Sequence, residues 1–579
     1  MTDRVPVALA LLLLLTSCTQ PGTEADYDVI VVGAGIAGLS AALEASQKGQ
    51  SVLVLDANSV GGGHAVKAGG FALVGTPLQA KKGYVDSPEI AARDLLAWGE
   101  DADPDWVRRY VTESRTEVHD WLANFGVRWT FILDTPEHSV PRFHFAGGSA
   151  LNVVVPMMQA AFADPRLTFY FNNEVVSLQQ SNGRINGVQV RDTRTGTRRQ
   201  FSAPAVIIAT GGWQGNLDFV RRAWRTEIPA PDHLYSGAGY FATGSGIALA
   251  QQAGAATTRM DHQVTFTTGL PDPQATPANR ALLSQNPAAI WVNSKGQRFI
   301  NELGPSKVAD ETILKMSPTT HWLIFDADGL RSLRIRDAVW LGNPGSIDTL
   351  KTAGLIRQAP SIAALAEGAG LPPDALATTV ARWNEQVASG EDTDFNRFSA
   401  GHPDRSARKL DKAPWYALQL FPMTRKSMGG LAIDQDARVT DRSGQVIPGL
   451  YAAGEVTGVA GINGSYGGEG TFLGPSVLLG RIAGRSASRA AGSTVGDQPV
   501  VSSREPGASG QPAATMTADT LRQMVALQRP GFWHFEMAHR IVLERKLDCL
   551  ACHSPAWPTR SPTTSGQRQL QLKSCASCH

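Results

Sequence analysis

The chain is short of three things, and each shortage excludes a class of protein. Its 579 residues contain five cysteines, four in two short strings near the C-terminus and the fifth at Cys18, so no pair is left for a disulfide. Net charge is also small, +1 at pH 7. That balance argues neither for nucleic acid nor for an acidic partner. Long apolar runs are missing too: the stretch from Val5 to Leu15 is too short to span a bilayer. No internal repeat is evident beyond the doubled cysteine string. What remains is a chain long enough for a large core and two or more domains. Its 58 glycines suggest a nucleotide-binding scaffold with many close backbone approaches.

The cysteine strings are Cys549-Leu-Ala-Cys552-His553 and Cys575-Ala-Ser-Cys578-His579. Each has the C-x-x-C-H form of a c-type haem attachment site. A lone C-x-x-C would also suit a redox dithiol or half a zinc site; two copies, each followed by His, point to haem. Cys549, Cys552, Cys575 and Cys578 are therefore expected to carry two haems, with His553 and His579 as proximal iron ligands. For the sixth ligands, His534 and His539 lie in an apolar-patterned stretch, Phe532 to Glu544, that should be helical. Met537 and Met524 are the alternatives, and Met would raise the potential.

The N-terminus reads as an export signal: a short start, the apolar stretch, then Leu15-Thr16-Ser17-Cys18. That last string resembles a bacterial lipobox, whose Cys is diacylated and becomes the first mature residue. An ordinary signal or a retained anchor is the alternative, and either exports the chain. The expectation is a lipoprotein attached to a membrane through Cys18, on the periplasmic side or at the cell surface.

A second signal starts at Asp26. Asp28-Val29-Ile30-Val31-Val32 suits a buried parallel strand and runs into Gly33-Ala34-Gly35-Ile36-Ala37-Gly38, then a helical stretch. A further strand, Ser51 to Leu55, ends at Asp56. This is the dinucleotide fingerprint in its proper context. Gly33 permits the turn, Gly35 lets backbone approach a pyrophosphate, Gly38 lets helix and strand pack, and Asp56 would bond ribose hydroxyls.

Three later segments narrow the nucleotide: the glycine-rich loop Gly61 to Gly70, the strand and turn Val206 to Gly212, and Gly449 to Glu455. With Gly244 to Ala250, Gly296 to Glu302 and Ser427 to Gly430, the chain from about 26 to 490 resembles the fumarate reductase, succinate dehydrogenase and 3-ketosteroid dehydrogenase flavoproteins. The resemblance implies FAD. Gly62, Gly63, His64 and Gly70 would then lie against the flavin ring, Thr210, Gly211 and Gly212 would form a turn beside it, and Glu455 would bond its ribityl and phosphate region. His64 is either a covalent attachment point or a polar loop residue near the ring. The implied fold is α/β, a Rossmann-like FAD-binding domain (26–239 and 416–489) split by an α+β capping domain (240–415). A linker (490–518), rich in Ala, Gly, Ser, Pro and Gln, leads to a small, mostly α dihaem c domain (519–579). With its haems the architecture resembles a flavocytochrome c, although the soluble fumarate-reducing members carry theirs at the other end.

The catalytic positions disagree with fumarate chemistry. Where fumarate reductases place a proton-donating Arg, eight residues after Arg298, this chain has Ser306. Their substrate-binding His falls at Phe266, the His before Met-Gly-Gly at Lys426, and the late Arg at Gly464 or Ser465. Lys426 is left to hold one anion. Tyr466-Gly-Gly-Glu-Gly470 has the Tyr-x-x-x-Gly form by which ketosteroid dehydrogenases polarise a carbonyl. Their catalytic Tyr, however, again falls at Ser306, so Lys307, His262, Tyr240 or Tyr235 would have to serve as base. The expected catalytic set is Tyr466, Gly470, Ser306, Arg298 and Lys426. The function expected is an exported FAD-dependent oxidoreductase exchanging hydride with a small organic substrate, dehydrogenation beside a carbonyl being favoured. Two c-type haems would pass electrons to or from an external cytochrome or quinol system. A reductase of an unsaturated acid and a catalytically silent electron carrier are the alternatives.

Overall fold

The computed structural model describes residues 25–147, 149–337, 341, 345–398 and 407–492. The expected lipobox and dihaem segment lie outside them, as does the linker expected at 490–518 except for its first three residues, which end the helix Leu473–Gly492. The first apolar run forms the strand Val29–Val32, buried at every position. It sits inside a six-stranded sheet between Ala205–Ile208 and Val52–Leu55, parallel to both. Val446–Ala452 and Leu167–Tyr170 extend the sheet, and the antiparallel strand Arg438–Thr440 closes one edge. A strand covered on both faces has no polar side, which is why the run is continuously apolar.

The helix Ile36–Gln47 follows this strand and packs along Leu473–Gly492. A Cβ at Gly480 would lie 2.3 Å from the Ala37 carbonyl oxygen, so only glycine permits this crossing. Arg481 then pairs with Glu44 at 2.7 Å and locks the two helices.

The second sheet has Trp415–Ser427 as its spine. Gln263–Pro271, His321–Phe325 and Ile356–Ala359 pair with it antiparallel, and Tyr235–Ser236 parallel. The helices Ile362–Ala369 and Pro373–Ser389 cover this sheet around the fully buried Trp383. The division differs from that expected at 240 and 415. The helix Ser245–Gln252 packs Ile247, Leu249 and Ala250 against Val32 and Ile208 of the first sheet. At the other end the spine continues to Ser427. Pairing partners, which composition does not reveal, set both boundaries. Among the described residues no helix is long and apolar enough to cross a membrane.

Candidate active site

A cavity of about 1150 Å³ runs between the first sheet and the cap. One end is built by the fingerprint. Gly33 has φ +107°, and a Cβ there would lie 2.4 Å from the Ala209 carbonyl oxygen. Gly35 opens onto the cavity, whereas Gly38 does not; a Cβ at Gly38 would strike the Gly33 oxygen at 1.8 Å, so glycine lets the helix approach the turn. The helix Ile36–Gln47 starts without a side-chain cap or an acidic residue in its first turn, leaving its first N–H groups for an anion. Asp56 lines the same wall, accepting from the N–H of Ala34 at 2.7 Å and of Asn58 at 2.8 Å. Burial nevertheless pushes its carboxyl up to about 6.

The turn after Ile208 brings Thr210, Gly211 and Gly212 to the cavity. The Thr210 hydroxyl is buried and has no protein partner. A Cβ at Gly212 would lie 2.3 Å from Glu455 Oε1 and equally close to Ser427 Oγ, so glycine is needed for these groups to meet. Glu455 accepts the Ser427 N–H at 2.8 Å. An open helix N-terminus, an acceptor carboxylate and an unpartnered hydroxyl on one wall fit a flavin dinucleotide.

Gly62, with its N–H on the Ala34 carbonyl at 2.8 Å, starts the short helix Gly63–Lys67. Gly63, His64, Lys67 and Gly70 line the cavity. Burial, then the cations Arg425, Lys67, Lys426 and Arg280, holds the His64 imidazole neutral. Burial also brings the Lys67 ammonium down to about 7, with Asp337 opposing the shift.

The other end is built by the cap. In the pairing of Gln263–Pro271 with the spine, Val264 faces Lys426 and Phe266 faces Met423. Phe266, Thr267, Arg425 and Lys426 all line the cavity. The Lys426 ammonium lies 4.2 Å from the centre of the Phe472 ring, and burial lowers its pKa. Arg425 donates to the Gly237 carbonyl at 2.8 Å and pairs with Asp337. Ser306 begins the helix Ser306–Leu314, and Asp310, one turn later, shares its face. Both line the cavity. The Thr267 hydroxyl lies 3.1 Å from the Asp310 carboxyl, which burial pushes up to about 8. Asp310 is therefore protonated at neutral pH. Sequence reasoning missed it, as it missed Lys67 and Arg425; the only signal for Asp310 was its spacing of four from Ser306.

Two expected catalytic residues are placed elsewhere. Tyr466 does not line the cavity: its hydroxyl donates to Glu311 and its ring lies 3.8 Å from the Lys307 ammonium. Gly470 does line it, yet its φ of +80° and its approach to Ala72 serve the chain path. The two donors expected at one oxygen are thus apart. Arg298 is sealed inside the cap, 2.9 Å from Glu302, 3.0 Å from Asp392 and stacked on Trp383. Glu302 is shared with Arg397 at 3.1 Å, so two carboxylates balance two guanidiniums inside the cap.

Among the four alternative bases, Tyr240 alone lines the cavity, with the Arg280 guanidinium 3.9 Å from its ring centre. Tyr235 packs on Phe421, His262 pairs with Asp261, and Lys307 pairs with Glu100. Cys549, Cys552, Cys575 and Cys578, with His534, His539, His553 and His579, lie outside the described residues.

Fold and site together define an FAD-dependent flavoprotein oxidoreductase. The profile of the FAD binding domain family matches residues 28–473, and the chain belongs to that family. It is 32% identical over 472 residues to a fumarate reductase (cytochrome) of Shewanella frigidimarina, covering 80% of this chain and 77% of that one. A KsdD-like steroid dehydrogenase of Mycolicibacterium smegmatis is 30% identical over 543 residues, 80% of this chain and 99% of that one. Among solved structures, the open conformation of a flavocytochrome c3 fumarate reductase superposes with a TM-score of 0.66 at 29% identity. That match covers 81% of this chain and 79% of the other.

Proposed function

We propose that this oxidoreductase interconverts the α,β-unsaturated and saturated forms of a small carboxylate-bearing substrate. The observation that carries the reading is a protonated acid, Asp310, in one cavity with the cations Arg425 and Lys426 and with Lys67, whose ammonium burial brings down to about 7. When bound, FAD supplies hydride exchange with one of the two carbons. The protein supplies everything else. Lys426 and Lys67 have lost solvation in the cavity wall, and a substrate carboxylate offers them charge-assisted hydrogen bonds in its place. Asp337 holds the Arg425 guanidinium at that end of the cavity.

Asp310 gives its proton to the second carbon in the reducing direction and takes it back in the other. A carboxyl near 8 suits this role at neutral pH. Thr267 fixes the orientation of that carboxyl, and the cap keeps water away from it. Dehydrogenation beside a ketone is less well supported, because it needs the Tyr466 phenol at the cavity.

The rest of the reading rests on sequence motifs. Cys549, Cys552, Cys575 and Cys578 would hold two haems, which would supply one-electron transfer between the flavin and an external cytochrome or quinol system. Export and a lipid on Cys18 place the chain at a membrane surface outside the cytoplasm.

Anaerobic optical titration of protein matured with haem tests the proposal. Prereduced protein should be reoxidised by unsaturated carboxylic acids, and far more slowly after Asp310→Asn. If no unsaturated acid or enone reoxidises it while a partner cytochrome exchanges electrons freely, the enzyme reading gives way to an electron carrier.

A further inference from the structure

The helix Ser306–Leu314 has two working faces. Ser306, Ala309 and Asp310 line the cavity, while Lys307 and Glu311, four apart, engage the FAD-binding part. The Lys307 ammonium pairs with Glu100, lies 3.8 Å from the Tyr466 ring centre and 5.9 Å from that of Trp98. Glu311 accepts the Tyr466 hydroxyl. The loop that presents Tyr466 is itself held: Ser465 donates its N–H to the Gly99 carbonyl at 2.9 Å, and Tyr466 its own to Asn463 at 3.2 Å. On the cavity side Thr267 holds Asp310. The helix is thus clamped between the cap sheet and the FAD-binding part.

We propose that Glu100, Lys307, Glu311 and Tyr466 form a latch that seats this helix, and that the seating positions Asp310. The second half rests on the proton-transfer reading above. Tyr466 is then a positioning residue. Burial, with Glu311 beside it, pushes its phenol up to about 12, so it remains a donor across the working pH range. Substrate must pass between the two parts, where Leu133, Phe241 and Leu303 form a lip that is 46%, 48% and 45% exposed. The latch lies just beyond Leu303. Releasing it opens the lip and withdraws Asp310; re-forming it returns the acid to a dry wall.

Two substrate-free readouts test this on the FAD-loaded full chain: amide exchange in 306–314, and the infrared titration of the Asp310 carboxyl with Asp310→Asn as blank. Tyr466→Phe and Lys307→Met are the variants, so loss of either by misfolding leaves the other. Exchange should accelerate by roughly 10- to 100-fold, the factor of a lost hydrogen bond to a charged group. It should stay unchanged in 373–389. The Asp310 midpoint should fall from about 8 toward the ordinary carboxylate range as water enters. Faster exchange with an unmoved midpoint would overturn the positioning role, and no change in either would overturn the latch. Full turnover by Asp310→Asn would sink the proton-transfer reading, a failure these two probes do not register.

Discussion

Thr267 and Asp310 meet at 3.1 Å where the strand Gln263–Pro271 passes under the helix Ser306–Leu314. The hydroxyl orients a carboxyl that burial keeps protonated, with Glu311 as its charged neighbour. Asp310→Asn should lower turnover about 100- to 10,000-fold. In the wild-type chain, reduction should decline as pH rises through about 8, because the donor proton is lost there. Stability runs the same way. A folded pKa raised above the unfolded 3.8 favours the folded state below that value, and the advantage is lost as pH rises to about 8. Asp310→Asn should therefore flatten the decline in denaturation midpoint over this window.

Lys426 carries the anion-binding half of the proposal. Lys426→Met should raise KM for carboxylate substrates by about 10- to 100-fold, the factor of a lost charged hydrogen bond. Neutral enones should be little affected. Equal losses for acids and enones would mean that the ammonium does not touch the carboxylate.

Gly212→Ala places a carbon 2.3 Å from both Glu455 and Ser427. The expected result is protein purified with far less flavin, read from the ratio of visible to ultraviolet absorbance. Full flavin content would mean that Glu455 and Ser427 can move apart at no cost.

Arg298→Ala should act on stability rather than on chemistry. It takes the ion-pair partner from Asp392, 0% exposed, and leaves Glu302, 1% exposed, with Arg397 alone. Breaking a buried pair in this way costs about 3–5 kcal/mol, measurable in chemical denaturation. A stable variant with altered turnover would return Arg298 to the substrate.

The proposed haem attachment at the two cysteine strings is tested separately from the rest. Cys549→Ala and Cys575→Ala should each remove one covalent haem by mass, with flavin content unchanged. Retention of both haems in either variant would refute attachment at that string.

The nucleotide end was legible because its determinants are local. Gly33, Gly35 and Asp56 act within one strand–turn–helix–strand unit, so spacing along the chain is spacing in space. The substrate end was not. Arg298 is defined by Asp392, 94 residues away, and Tyr466 by Glu311, 155 residues away. The Tyr-x-x-x-Gly spacing is a pattern along the chain, and a pattern does not say which way a phenol turns. Asp310 owes its protonation to burial by strands and helices distant in sequence, and no local rule announces it. Lys67, Arg425 and the Asp337 that pairs with Arg425 come from three separate segments, so this charged wall exists only once the chain is folded.

The spine Trp415–Ser427 belongs to both halves. Leu418 and Leu420 are buried in the cap, whereas Ser427 takes the Trp213 N–H at 3.0 Å and gives its own to Glu455. Recombination between relatives would therefore succeed only if this strand were inherited whole. A crossover inside it would join one parent's cap packing to another's Arg425 and Lys426, and an inserted residue would reverse the sides they face.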